Sequence, residues 1–204
     1  TLLSTAGTIT ANTAATQAQA DILGAFTKSV SYDISDTAAA IHGGSAAGRN
    51  EAANISATTS ATIVQATTID GAGNGGTTTF NIDDTAAAIT ASSNAFISKA
   101  GTVTVNDTAD KSQANTIGGY AKAVSFSISD NAGNVSTINS SALNEAVNIT
   151  VTGTATIAQA KIIDDATNTI NGTSYSSRIA GKYKMGGKTG TSQVRVISLS
   201  LIHI

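Results

Sequence analysis

The chain has 204 residues and a net charge of −2, with 12% charged and 4% aromatic residues and no Pro, Cys or Trp; charged residues in globular proteins run near ~25%. Disulfides, thiolate nucleophiles and Cys-held metals are excluded, and so is a core anchored on large aromatic side chains. All 13 acidic residues lie at or before Asp165, whereas five of the 11 basic ones follow it (Arg178, Lys182, Lys184, Lys188 and Arg195), and the acidic body excludes a nucleic-acid partner, whose phosphates need Lys and Arg.

From the start, Thr1-Leu2-Leu3 has neither the basic segment nor the apolar stretch of a signal peptide, and a first residue other than Met reads as an internal piece of a longer protein. The alternating run SVSYDI (29–34) predicts a strand, because period-two alternation with β-branched residues suits a half-buried sheet. Asp36 follows, then TAAAI (37–41), a helix start in which the Asp carboxylate accepts from N–H groups two or three residues on. The same pattern recurs with TTTFNI (77–82), Asp84 and TAAAI (85–89). It recurs with GTVTV (101–105), Asn106 or Asp107 and TADKSQANTI (108–117), and with VSFSI (124–128) and Asp130. VNITV (147–151), Gly153 and TATIAQAKII (154–163) complete the series.

Residues 8–74 align with 102–168 without a gap at an offset of 94, with 29 of the 67 pairs identical. The period halves to about 47, marked by Gln19-Ala20, Gln65-Ala66, Gln113-Ala114 and Gln159-Ala160, and halves again to about 23, within the range of solenoid repeats. The fold expected for residues 8–171 is therefore α/β, a repetitive parallel βα-solenoid of roughly seven ~23-residue coils. The alternative is an all-β repeat, a β-helix or a run of sandwiches, which the Thr-rich ISATTSATI (55–63) keeps open. Coils are spaced ~4.8 Å apart along a sheet, whereas helices pack ~8–10 Å apart. Short, partly irregular, Ala-rich helices are the expected compromise.

Few side chains invite chemistry. Asp36, Asp84 and Asp130 are candidates for a calcium ladder, set against capping; the GGxGxD signature is absent, DGAGNGG (70–76) being a Gly-rich turn, and calcium takes about six to eight oxygens. No other cofactor is expected. His42 has no ligand partner nearby in sequence and is read as a surface loop residue. Phe26 matches Tyr120 and Tyr32 matches Phe126, either as a stacking stripe for a ligand or as core packing.

SDTAAAI (35–41), DDTAAAI (83–89), NDTAD (106–110) and VTGTATIAQA (151–160) resemble the Ala/Thr-rich tandem repeats of very large bacterial surface and secreted proteins. That resemblance implies a non-catalytic spacer or adhesion segment, located at the cell surface or outside it. The partners it implies are neighbouring repeats of the parent protein and cell-surface glycans or proteins. No apolar run approaches the ~18 residues of a membrane span.

The tail breaks the pattern. GKYKMGGKTGTSQVRVIS (181–198), with GTSYSSRI (172–179), resembles the K-T-G end of a class B penicillin-binding transpeptidase. The resemblance places Lys188, Thr189, Gly190 and Thr191 where that family grips its substrate. The family's S-x-x-K nucleophile motif is missing, without which acyl transfer has no nucleophile. Ser129-Asp130-Asn131 spells the family's S-D-N, yet its repeat-mate Ser35-Asp36-Thr37 explains it as a strand-to-helix corner. LSLIHI (199–204), which also contains His203, resembles translated sequencing adapter. The expectation for 172–198 is therefore a foreign fragment joined to a repeat array, not a folded domain, and the chain is not expected to be an enzyme. The readings left beside the structural one are a peptidoglycan transpeptidase fragment and a calcium-dependent binding module.

Overall fold

The computed structural model describes Gly7 and residues 9–167, with the side chain of Thr167 left aside. They fall into two compact units, the first within Thr1–Asp84 with Ala95–Val103, the second Thr85–Asn94 with the residues from Thr104 on. Strands and helices alternate throughout, and every strand pairing within each unit is parallel. The chain is thus α/β, and the all-β alternative is not what its described residues form.

In the first unit β1 (Ile9–Thr10) pairs with β2 (Val30–Ser31), and β3 (Ile34–Asp36) pairs with β4 (Ile55–Ala57), which pairs with β5 (Thr78–Thr79). Isolated bridges from Ala15 to Ile34 and from Ala61 to Ile82, in β6 (Ile82–Asp84), continue the ladders. The predicted strand SVSYDI is therefore split into β2 and β3. The helices of this unit are α1 (Gln17–Leu23), α2 (Ala38–Gly43), α3 (Ala46–Glu51) and α4 (Ile63–Asp70).

In the second unit the residues of β7 (Val103–Ala109) from Thr104 on pair with β8 (Ser125–Asn131), which pairs with β9 (Asn148–Thr152). Its helices are α5 (Ala86–Thr90), α7 (Lys111–Ile117), α8 (Ala132–Val135), α9 (Ser140–Glu145) and α10 (Ile157–Thr167); α6 (Asn94–Ile97) falls at the boundary in sequence. The register of β7 against β8 shifts between Thr104 and Thr108. This irregularity lengthens the strand, so the corner expected at Asn106 or Asp107 is moved on to Asp110.

The strand-and-helix repeats, called coils for brevity, come in two kinds. One kind carries a single helix, α1, α4, α7 or α10. The other carries two short ones, α2 with α3, α5 with α6, or α8 with α9. The second short helix is a correction to the expected single one. Its cause is sequence without apolar periodicity, such as GGSAAGRNEAAN (43–54), which holds a helix only by its caps and small residues. The single helix α7 packs on α5 and on α9; likewise α1 packs on α3, and α4 on α2. Each of these three single helices thus lies against the first half-helix of the preceding coil or the second half-helix of the following one, whereas α10 lies on both α9 and α8 of the coil before it. That stagger reconciles strands ~4.8 Å apart with helices that need ~8–10 Å.

The core is small and regular. Ile34 lies opposite Ile55 and Ile128 opposite Ile149, all buried. Over them lie the helix positions Ala20, Ala66 and Ala114, all fully buried. Alanine there lets each helix approach the sheet closely. At the end of α1 the approach is between backbones: a Cβ on Gly24 would meet the backbone nitrogen of Gly48 at 2.9 Å.

Candidate functional site

The candidate site is the strand-to-helix corner, which recurs within each unit and holds the calcium candidates Asp36 and Asp84 in the first and Asp130 in the second. Asp36 ends β3 and shares the inward parity of Tyr32 and Ile34, since side chains two apart share a sheet face. At the strand's end that parity turns its carboxylate toward the helix layer. Oδ1 accepts from the backbone N–H of Thr37 (2.7 Å), and Oδ2 accepts from that of Gln17 (2.9 Å), the first residue of α1 in the preceding coil.

The link repeats. Asp84 Oδ2 accepts from Ile63 N–H (2.8 Å), at the start of α4. Asp107 Oδ1 accepts from Ala86 N–H (2.7 Å), at the start of α5. Asp130 Oδ2 accepts from Lys111 N–H (3.1 Å), at the start of α7. A threonine does the same between α2 and its following coil, Ala38 N–H donating to Thr59 Oγ1 (3.1 Å). Each of these helices begins on an acceptor supplied by the next coil.

This corrects the expected capping. The N-caps of the coils' own helices are the following residues, Thr37, Thr85 and Asn131, whose side chains accept from Ala40, Ala88 and Asn134. The acids are still on their strands and point across to the neighbouring coil. In the single-helix coils the cap is a capping box. Thr16 with Gln19, Thr62 with Gln65 and Asp110 with Gln113 satisfy each other's N–H groups, and Thr156 with Gln159 repeats the pair. The recurring Gln-Ala dipeptide was the visible signal of these boxes, with the Ala next in line turned into the core.

The carboxylates are accordingly occupied. Asp130 Oδ1 accepts from the Asn131 backbone (2.7 Å), the Asn131 side chain (3.1 Å) and the Asn134 side chain (2.9 Å). The Asn134 hydrogen bond foremost, then the backbone bonds and the charge of Lys111, outweigh burial and hold its carboxyl below the ordinary aspartate range. In the sheet Asp36 lies opposite Ala57 and Asp130 opposite Val151, so the neighbouring strand brings no second acid beside either. Among the described residues no group of three or more His, Cys, Asp or Glu is gathered as a metal would need. An open cleft of about 550 Å3 lies at the second unit's corner, lined by Asp110, Lys111, Ser112, Asn115, Thr116, Asp130 and Asn134. It offers hydrogen-bonding groups, among them the Thr116 hydroxyl, which donates to the Ser112 carbonyl (3.0 Å).

Asp21 makes a second kind of corner. It accepts from the Gln17 side chain (2.6 Å) and from the backbone (3.0 Å) and hydroxyl (2.9 Å) of Ser45, the N-cap of α3. Burial pushes its carboxyl up, but these bonds and the charge of Arg49 hold it below the usual range. Arg49 donates to the carbonyls of Ile41 (2.7 Å) and Gly44 (2.6 Å), closing the end of α2. The buried Gln17 and the second helix that Asp21 and Arg49 support left no signal in the repeat, because their mates are Lys111, Asn115 and Leu143.

The remaining candidates separate. His42 is in the last turn of α2, not in a loop, and its Nδ1 lies 2.8 Å from Thr68 Oγ1 of α4. Tyr32 and Phe126 are buried in their cores, whereas Phe26 is exposed. Tyr32 donates to the carbonyls of Gly48 (2.8 Å) and Ala20 (3.4 Å); Tyr120 donates to those of Ile89 (3.0 Å) and Ser92 (3.2 Å). The hydroxyl thus moves between the two matched positions and in both places serves carbonyls at helix ends. Ser129 lies opposite Thr150, and Asn131 caps α8, so Ser129-Asp130-Asn131 is a strand-to-helix corner. Lys188, Thr189, Gly190, Thr191 and His203 lie outside the described residues. Among the described residues no helix is long and apolar enough to cross a membrane. Compared with known proteins, the chain matches no family model, no curated protein and no solved structure.

Proposed function

We propose that the repeat array is a non-catalytic structural or adhesion segment of a large extracellular bacterial surface protein, built as a parallel α/β-solenoid. The observation that carries this reading is the row of helix starts satisfied from the following coil, Gln17 by Asp36, Ile63 by Asp84 and Lys111 by Asp130. The corner acids, which in an enzyme would be free to act, are bound to backbone amides and serve cohesion between coils. Low charge, the absence of Pro and the small side chains suit a stiff, protease-resistant spacer. The binding partners proposed are neighbouring repeats and cell-surface glycans or proteins.

Length is the test. Duplicating the 94-residue block adds four coils at ~4.8 Å each, so small-angle scattering should report a longer particle of unchanged cross-section. A particle that grows equally in all directions removes the solenoid and the spacer together. Covalent labelling of the chain by a fluorescent penicillin would instead establish the transpeptidase reading. A melting temperature raised by millimolar calcium over chelator would establish the calcium module.

A further inference from the structure

The coil of β9 and α10 is more exposed than its repeat-mate. Ala61 and Ala66 are sealed in the coil of α4, yet their repeat-mates Ala155 and Ala160 are only half-buried. Ile63, half-buried at the start of α4, corresponds to Ile157, which is 84% exposed. Around α4 the cover comes from the next coil. After α4 comes β6, whose Asp84 accepts from Ile63 N–H.

What fills such a face elsewhere is consistent. Single-helix coils are followed by two-helix coils: α1 by α2 and α3, α7 by α8 and α9. Two contacts recur. The strand-terminal acid of the following coil takes the first N–H of the single helix, as Asp36 and Asp130 do. The second short helix of that coil lies on the single helix, as α3 lies on α1 and α9 on α7. A polar side chain fixes the second contact: Asp21 accepts from Ser45 N–H, and Asn115 Oδ1 accepts from Asn139 N–H (2.9 Å). A single-helix coil in that place would set two unbroken helices one strand spacing apart, about 4.8 Å where helices need about 8–10 Å.

We infer that the face of β9 and α10 is an acceptor surface specific for a two-helix coil bearing a strand-terminal Asp before its Thr-capped Ala-rich helix. The inference rests on the solenoid reading and adds a parity rule: single-helix faces take two-helix coils and reject their own kind. The occupant is such a coil of a neighbouring repeat, its acid on the first turn of α10 and its second short helix beside it.

Inserting a copy of residues 75–101 between Thr167 and Asn168 of the full chain supplies a two-helix coil; inserting a copy of 102–122 supplies a single-helix one. Amide exchange read by NMR should slow at least tenfold at Ile157 with the first insert. It should stay unchanged with the second, and with the first carrying Asp84→Ala in the inserted copy. Ile63, in the other unit, reports that each variant is folded. Equal protection by both inserts, or protection by neither, overturns the parity rule. Scattering on the same variants keeps the two readings apart. Equal lengthening by both inserts leaves the solenoid standing while the rule falls, and lengthening by neither sinks the solenoid itself.

Discussion

A carboxylate at the end of a strand has two sets of amides within reach, and in this chain it serves both. Removing it should cost about what an N-cap is worth. Asp36→Ala is expected to destabilise the protein by about 1 kcal/mol, read from the midpoint of urea unfolding. Asp130 carries a pH signature. Its folded carboxyl is held low by Asn134 above all, so its contribution is complete above the unfolded value of about 3.9 and is lost as the pH falls through the lowered folded one. Asp130→Asn should flatten the acid limb of stability against pH; an unchanged limb would show that other carboxylates set it. Tyr32 works in the opposite sense. Burial first, then the negative charges of Glu51 and Asp21, raise its hydroxyl. Its contribution is whole below about pH 10 and fades as the pH climbs to the raised folded value. Tyr32→Phe should cost about 1–2 kcal/mol at pH 7 by taking the donor from the Gly48 carbonyl, and should remove that alkaline loss.

At the scale of elements, capping and close approach decide where helices stand. Gly24→Ala puts a methyl 2.9 Å from the Gly48 nitrogen, and backbone cannot step aside as a side chain can. A loss of about 1–3 kcal/mol is expected, against little change for Gly75→Ala, around which there is open space; thermal melts of the two variants make the comparison. The strands, the Ala-rich helix starts and their parallel arrangement were legible in the sequence, because alternation and the repeat both report on a buried sheet face. The caps were not assigned correctly. Asp36 and Thr37 are both good N-cap residues, and only the position of the sheet edge shows that the acid reaches across while the threonine stays home. The second short helices were invisible for another reason. α3 buries little beyond Gly48 and leans on Ser45, Asp21 and Arg49, none of which writes an apolar period.

For the whole molecule, the proposed parity rule makes the alternation of coil types matter more than their number. Deleting 16–61 joins Ala15 to Thr62, two equivalent bridge-to-cap junctions, and preserves the order of single-helix and two-helix coils. Deleting 37–61 joins Asp36 to Thr62 and places two single-helix coils in succession. The first variant should keep a cooperative melt by circular dichroism, and the second should lose it. Retention by both would show that helices adapt to any neighbour. The period of about 47 was plain from the repeated Gln-Ala, whereas the split of each period into a single-helix and a two-helix half was not, because the second short helices write no apolar period.

The acids that close α1, α4 and α7 lie 19 or 21 residues downstream of the amides they close. Synthesis runs in the same direction, N-terminal segments first. The first amide of a newly made helix therefore waits until the ribosome has released the next strand, and each strand on arrival locks what came before it. The growing end is always the unfinished one. Assembly of such a chain is directional, like a zip drawn behind the emerging polypeptide, and a pause in translation leaves a single open coil while everything upstream is already fastened.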